Sequence, residues 1–215
     1  MSRPADPAPP RDELDRFDRV ERWVHWSVGV LFAACALTAA VLYLGPLSVL
    51  VGNRRIVVLV HVWSGFALPV PLVAGAVSKA YRSDLRRLGR FTPADGAWLR
   101  AGRGRRDADG VGKFNAGQKL NGALSTGAIL VLLGTGTIMY FTGLAPLAYR
   151  TGATFVHDWS ALAVWVLVLG HLHHALRDPE AMRGIRSGRV HRAWARNEHP
   201  EWERENRDAQ RPRHP

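Results

Sequence analysis

Four apolar stretches, joined by two short connections and one long polar segment, set the layout of this 215-residue chain. They run over Trp23–Leu44, Ile56–Val77, Leu120–Phe141 and Phe155–Leu176, with no Lys, Arg or Glu in any of them and a single Asp, Asp158, near one end of the fourth. A bilayer core takes about 20 mostly apolar residues as helix. Backbone polar groups in lipid must also be satisfied within the segment, which selects helix. Buried helices of a soluble domain would carry a polar face, and these stretches have none. The pattern predicts an all-α integral membrane protein, a four-transmembrane-helix bundle with helices over 23–44, 56–77, 120–141 and 155–176. The first stretch reads as a retained helix and not a cleaved signal peptide. Its leader is long and mixed in charge, and its apolar run is too long for an h-region.

The polar parts complete the outline. The segment 78–119 reads as a loop: YRSDLRRLGR as an interfacial or solvated basic stretch, AGRGRRDADG as flexible, and GVGKFNAGQKLNG as the approach to the third helix. Residues 1–15 and 206–215 read as disordered tails from their Pro and charge content. One membrane domain is expected over 16–205, without internal repeats. Average composition conceals all this: 47% of residues are hydrophobic and mean hydropathy is −0.09.

Charge adds orientation. The net charge is +11, which in a soluble chain would raise nucleic-acid binding. Its distribution argues otherwise. Of 29 Lys and Arg, only Arg54, Arg55 and Arg150 lie in the two short connections. The others lie in the N-terminal tail, the 78–119 loop and the tail after the fourth stretch. Positive charge marks the cytoplasmic side, so both termini and the long loop are expected there, with no nucleic-acid partner. The one cysteine, Cys35, lies mid-span. It cannot form an internal disulfide or alone hold an iron–sulfur cluster, and reads as a small packed side chain.

Ionisable residues inside spans are costly and mark function. His25, His61, His157 and His171 each lie on a predicted helix. With alternating helix directions, His25 and His171 share the inner depth, and His61 and His157 the outer one. His157 and His171 are fourteen residues apart, close to four turns, so they project from one face about 21 Å apart. His173 and His174 are turned away from that face and read as interfacial residues or neighbours of a quinone site. Two imidazoles on facing helices suit a six-coordinate haem iron, which carries electrons and leaves no position for oxygen. Zinc would need about four ligands together, and these histidines fall in two separated pairs. The candidate axial ligands are therefore His25 and His171 for an inner haem, and His61 and His157 for an outer one. Gly29, Gly65, Gly127, Gly134 and Gly136 are small positions suited to a macrocycle edge or to close helix contact. A haem-free membrane anchor is the alternative from a different class.

RFDRVERWVHW with His25, HVWSG with His61, VGKFNAGQK, VHDWSA with His157, LGHLHHAL with His171, and the tail GIRSGRVHRAWARNEHPEW carry a family resemblance. The chain resembles the cytochrome b (gamma) subunit of respiratory membrane-bound formate dehydrogenase. That subunit belongs to the bacterial di-haem cytochrome b561 group, which includes the nickel-hydrogenase cytochrome b. VGKFNAGQK and the tail favour formate dehydrogenase; a cytochrome b serving a Ni-Fe hydrogenase or another periplasmic oxidoreductase is the alternative. The resemblance implies a plasma-membrane electron-transfer subunit of a bacterium, with two b haems, that does not itself act on formate. Its implied partners are an iron–sulfur (beta) subunit and a molybdopterin (alpha) subunit. Its implied acceptor is menaquinone or ubiquinone, bound near Asn115, Gly117 and Gln118. As residues, NAGQ also reads as a helix cap, and both roles are compatible. Asp158, following the outer ligand, and the extra histidines His173 and His174 depart from the family pattern.

Overall fold

The computed structural model describes residues 12–101 and 110–210. Four helical rods long and apolar enough to cross a membrane dominate it. The first is α1 (Arg19–Tyr43), followed by the short α2 (Gly45–Val51). The second rod is α3 (Arg54–Ala67) continued by α4 (Pro69–Gly75). After α5 (Lys79–Leu88) and α6 (Pro93–Arg100) come the third rod, α7 (Ala116–Tyr140), and the fourth, α8 (Leu147–Arg177). The chain ends in α9 (Pro179–Ser187), α10 (Arg192–Glu198) and α11 (Pro200–Gln210), and two short strands, β1 (Glu13–Asp15) and β2 (Arg189–His191), pair with each other.

Local chemistry sets the helix limits. Asp18 caps α1 by accepting from the Glu21 N–H at 2.6 Å, while Glu21 accepts from the Asp18 N–H at 2.7 Å. Asn115 and Gln118 form the same reciprocal box at the start of α7. The second rod departs from the single helix expected over 56–77. It breaks at Leu68, because Pro69 and Pro71 have no N–H to continue the ladder. The fourth rod starts at Leu147, just after Pro146, eight residues before the expected Phe155. Its 31 residues span about 46 Å at 1.5 Å each, beyond a hydrocarbon core of about 30 Å.

The rods form two antiparallel hairpins. α1 lies along α3 and α4, α7 lies along α8, and the hairpins meet mainly where α3 touches α7. Side chains such as Val30, Val73, Leu130 and Val166 point outward and exposed. Lipid is as apolar as Leu, so a bundle of this kind gains nothing from an oily core of its own.

The compact apolar core lies elsewhere. At the end of the bundle holding the start of α1 and the end of α8, Leu14, Val190, Ala195 and Trp202 are buried together. They belong to a cap built from both chain ends and the loop between the second and third rods. Leu14 pairs with Val190 in the β1–β2 ladder. The turn before β2 needs Gly188: its φ is +89°, and a Cβ there would lie 2.6 Å from the Phe17 carbonyl oxygen. The Gly188 carbonyl accepts from the backbone N–H of Arg16 and of Phe17. The sequence reading of 78–119 as a loop is corrected by α5 and α6. The reading of tails over 1–15 and 206–215 is corrected at Glu13–Asp15, which are strand, and through 206–210, which belong to α11. Residues 1–11, 102–109 and 211–215, with most of the stretch expected to be flexible, lie outside the described residues.

Arg16 ties the cap together. It is 3% exposed, and its guanidinium lies over the rings of Trp194 and Trp202 at 4.6 and 5.5 Å. It donates to the Lys113 carbonyl at 3.0 Å and to His199 Nε2 at 3.1 Å. His199 in turn donates from Nδ1 to the Gly112 carbonyl at 2.7 Å. Burial first, and the adjacent guanidinium second, push the His199 pKa down to about 3. The ring is neutral, as this bonding pattern requires.

Candidate functional site

The structure brings the four span histidines together in two pairs. The His25 and His171 rings face each other from α1 and α8, with centroids 6.2 Å apart and planes at 57°. His61 and His157 face each other from α3 and α8 at 6.3 Å and 66°. The first pair lies at the cap end, the second toward the opposite end. Among the described residues, no three His, Cys, Asp or Glu side chains converge as a metal-holding group. Two-by-two pairing is the arrangement present.

This spacing tests the fit of a single iron between each pair. An imidazole nitrogen sits about 2.0–2.1 Å from a first-row metal, and with a ring radius of about 1.1 Å two opposed imidazoles have centroids roughly 6.3 Å apart. Both observed separations match.

Protonation on the second pair fits as well. Thr135 donates its hydroxyl proton to the Val131 carbonyl at 2.7 Å, so its lone pair accepts from His157 Nδ1–H at 2.9 Å. Thr38 likewise donates to the Ala34 carbonyl at 2.6 Å. It accepts from His61 Nδ1–H at 2.9 Å, with the Cys35 carbonyl at 3.1 Å as a second acceptor. Each ring thus carries its proton on Nδ1 and its free lone pair on Nε2, the state of a metal ligand whose other nitrogen is fixed by a neighbour. Among the described residues no ring nitrogen of His25 or His171 has such a partner; Trp26 packs edge-on against His25 at 5.6 Å. His61 and His157 are half-buried, while His25 and His171 are exposed.

Space beside the rings has a simple origin. Gly29 follows His25 by four residues, and Gly65 follows His61 by four, so each lies one turn along the same face. A Cβ at Gly29, Gly65, Gly127 or Gly134 would meet nothing within 4 Å, so close packing of helix on helix is not what these glycines serve within this chain. Gly136 differs. A Cβ there would touch His157 Cε1 at 3.3 Å, so this glycine makes room for the ring itself. The tightest glycine contact between rods, Gly75 against Val24 of α1, was not singled out in the sequence.

The remaining sequence candidates are also placed. His173 and His174 are exposed and pack on each other at 5.7 Å. Asp158 lies close to the Tyr43 hydroxyl. Asn115 and Gln118 spend their side-chain oxygens on capping α7, and Gly117 lies under the Trp98 ring, where a Cβ would sit 3.0 Å from Cη2. The helix-cap reading of NAGQ therefore describes these oxygens.

Sequence reasoning missed Thr38 and Thr135. Hydroxyls on apolar spans were the available signal. It also missed a set of buried charges at the cap end. Lys119 bonds Asp95 at 2.7 Å and the Arg90 carbonyl at 3.0 Å, tying α6 to α7. Burial alone would raise the Asp95 pKa, but the bonds from Lys119 and Thr92 overcome it and hold it low. Glu21, Asp84 and Lys113 form a second buried group.

Membrane-crossing rods with one facing imidazole pair near each end define a class: a transmembrane protein whose two histidine pairs each fit a single iron. The particular family is shown by direct comparison. The profile of the prokaryotic cytochrome b561 family matches residues 16–187, and the chain belongs to that family. It is a multi-pass membrane electron-transfer cytochrome of the di-haem b type. No curated protein matches the chain.

Proposed function

We propose that this chain is the membrane subunit of a formate dehydrogenase complex, carrying electrons from an iron–sulfur partner to membrane quinone. The observation that carries it is the pair of facing imidazoles near each end of the bundle, at 6.2 and 6.3 Å. Such a layout suits transfer across a membrane and not chemistry at one face. When bound, each b haem supplies a one-electron iron couple. His61 and His157 would hold the outer group, and Thr38, Thr135 and the Cys35 carbonyl fix their rings. His25 and His171 would hold the inner group. The distribution of Lys and Arg supports a cytoplasmic cap and cytoplasmic termini in a bacterial inner membrane.

Formate as the donor rests on the resemblance of VGKFNAGQK and the C-terminal tail. These segments, distant in sequence, pack on each other: the Glu201 N–H donates to the Val111 carbonyl at 3.1 Å, and His199 to that of Gly112. The quinone would approach this cap end beside α7, where the side-chain amide N–H groups of Asn115 and Gln118 can donate to a carbonyl. Iron–sulfur and molybdopterin subunits would dock at the opposite end.

The test begins with a pyridine haemochrome assay on the purified chain, expecting two b haems. None would leave a haem-free anchor. In native membranes, formate should then reduce both haems and a quinone analogue reoxidise them. Reduction by hydrogen and not formate would assign the chain to a hydrogenase. Purification through a tag on this chain should bring down a molybdopterin and an iron–sulfur subunit.

A further inference from the structure

We propose that Glu21 and Asp84, bridged by Lys113, hold one shared proton and deliver it to the quinone at the cap end. The proposal rests on the quinone-reducing reading above.

The three side chains come from three separate parts of the chain: the first turn of α1, the middle of α5, and the segment leading into α7. Their side chains are only 6%, 9% and 11% exposed. Lys113 Nζ bonds Asp84 Oδ2 and lies 3.9 Å from Glu21 Oε1. Glu21 Oε2 is occupied by the Asp18 N–H at 2.7 Å. Glu21 Oε1 is buried, aimed at the Lys113 ammonium, and without a hydrogen-bond partner. The rings of Phe17 and Phe114 stand 5.1 and 5.7 Å from that ammonium and keep its surroundings apolar.

Charge balance then requires a proton. Lys113 neutralises one carboxylate, and a second ionised carboxylate in the same dry site is strongly disfavoured. The neighbouring charges do not change this. Arg16 is shared electrostatically between Asp178 and Asp84. Asp18, at the start of α1, accepts from Ser78 Oγ at 2.8 Å and from the Glu21 N–H. Arg22 lies against the Asp18 backbone, donating from Nε to its carbonyl at 3.3 Å, while Glu21 and Asp84 share the single ammonium of Lys113. An unbonded carboxyl oxygen is where the shared proton resides or from which it leaves.

Position supplies the purpose. Glu21 precedes His25 by one turn on the same face of α1, and Lys113 precedes Asn115 by two residues. The triad therefore lies beside both the cap-end histidine and the region proposed for the quinone. Quinone reduction takes two electrons and two protons and converts both carbonyls to hydroxyls. The electrons are those delivered at the cap end. For each proton, the carboxyl O–H breaks, an O–H forms on a quinone oxygen, and the pair regains its proton from cap-side water.

The test uses the full chain in nanodiscs, with Glu21→Gln and Asp84→Asn variants. Gln at 21 retains an oxygen for the Asp18 N–H, so the α1 cap survives. Infrared spectra at neutral pH should show the carbonyl stretch of one buried protonated carboxyl. Either single variant should abolish it, because the remaining acid then pairs with Lys113 as a carboxylate. Separately, dithionite-reduced protein is mixed with decylubiquinone. Reoxidation should slow by at least about tenfold in both variants, while oxidation by ferricyanide, which needs no proton, stays at the wild-type rate. A carboxyl band surviving in both variants, or unchanged quinone rates, overturns the proposal. Wild-type protein that ferricyanide oxidises and the quinone does not would instead overturn the quinone-reducing reading, and the relay with it; the infrared band would still report whether the pair holds its proton.

Discussion

The two imidazole pairs have nearly the same ring separation and very different surroundings. The pair toward the far end, His61 and His157, is half-buried, with each Nδ1 fixed by a threonine whose own proton is committed to its helix. The pair at the cap end, His25 and His171, has no such hydrogen bond among the described residues and stands below a cap rich in buried charge. The difference teaches that a pair of facing imidazoles alone does not define what a site can do. One environment holds its rings in a fixed state through paired threonines. The other places Glu21, part of a buried group with Asp84 and Lys113, within one turn of His25. Transfer of an electron alone suits the first, and transfer coupled to protons suits the second.

Removing a ligand should have the largest effect. His61→Ala or His157→Ala should cut the haemochrome yield from two haems to one and delete the far-end signal in the electron paramagnetic spectrum. His25→Ala or His171→Ala should delete the other signal and quinone turnover with it. His173→Ala should retain both haems; loss of one there with His171→Ala intact would break the pairing. Next in size is filling the space beside the rings. Gly65→Leu should deplete only the far-end haem and Gly29→Leu only the cap-end one, read by the same two signals.

A smaller effect is expected from the threonines. Without an acceptor for Nδ1–H the imidazole is a weaker donor and the ferric state is less favoured. Thr135→Val should raise the far-end midpoint potential by roughly 40 mV, the equivalent of a hydrogen bond of about 1 kcal/mol. The cap-end potential should not move in a redox titration. Equal shifts at both ends would erase the distinction drawn here.

Two predictions concern the cap. Gly188→Ala forces a Cβ onto the Phe17 carbonyl at positive φ and should cost about 1–3 kcal/mol of cap stability. The change should perturb the cap-end haem spectrum before the far-end one. The last is a pH effect. His199 is held at about 3 in the fold against an ordinary value of 6.5, so it is neutral in the cap and binds a proton more readily once unfolded. Its contribution is complete above pH 6.5 and is lost as pH falls toward 3. The urea midpoint of the cap, followed by tryptophan fluorescence, should fall over that window, and a His199→Asn variant should give a flatter profile.

Much of the bundle was legible in the residues. Spans lacking Lys, Arg and Glu needed no tertiary information, and helical periodicity alone placed His157 and His171 on one face. The break at Leu68 was also written locally, in Pro69 and Pro71, but a hydropathy window averages over two prolines. The early start of α8 went unread because Leu147–Thr154 is only moderately apolar and carries Arg150. For Asn115 and Gln118 the cap reading was open from the start, and the reciprocal bonds show it directly.

By itself, then, the sequence determined the spans, their alternating course and the histidines that share a depth. Each of these follows from composition and from a fixed rise and turn per residue. Only the tertiary structure decided the cap, the state of the rings and the buried triad. Arg16 meets His199 across 183 positions, and Thr38 meets His61 across 23. Such contacts depend on which segments the fold brings side by side. No periodicity encodes that, because the closeness comes from packing between elements and not from any one of them.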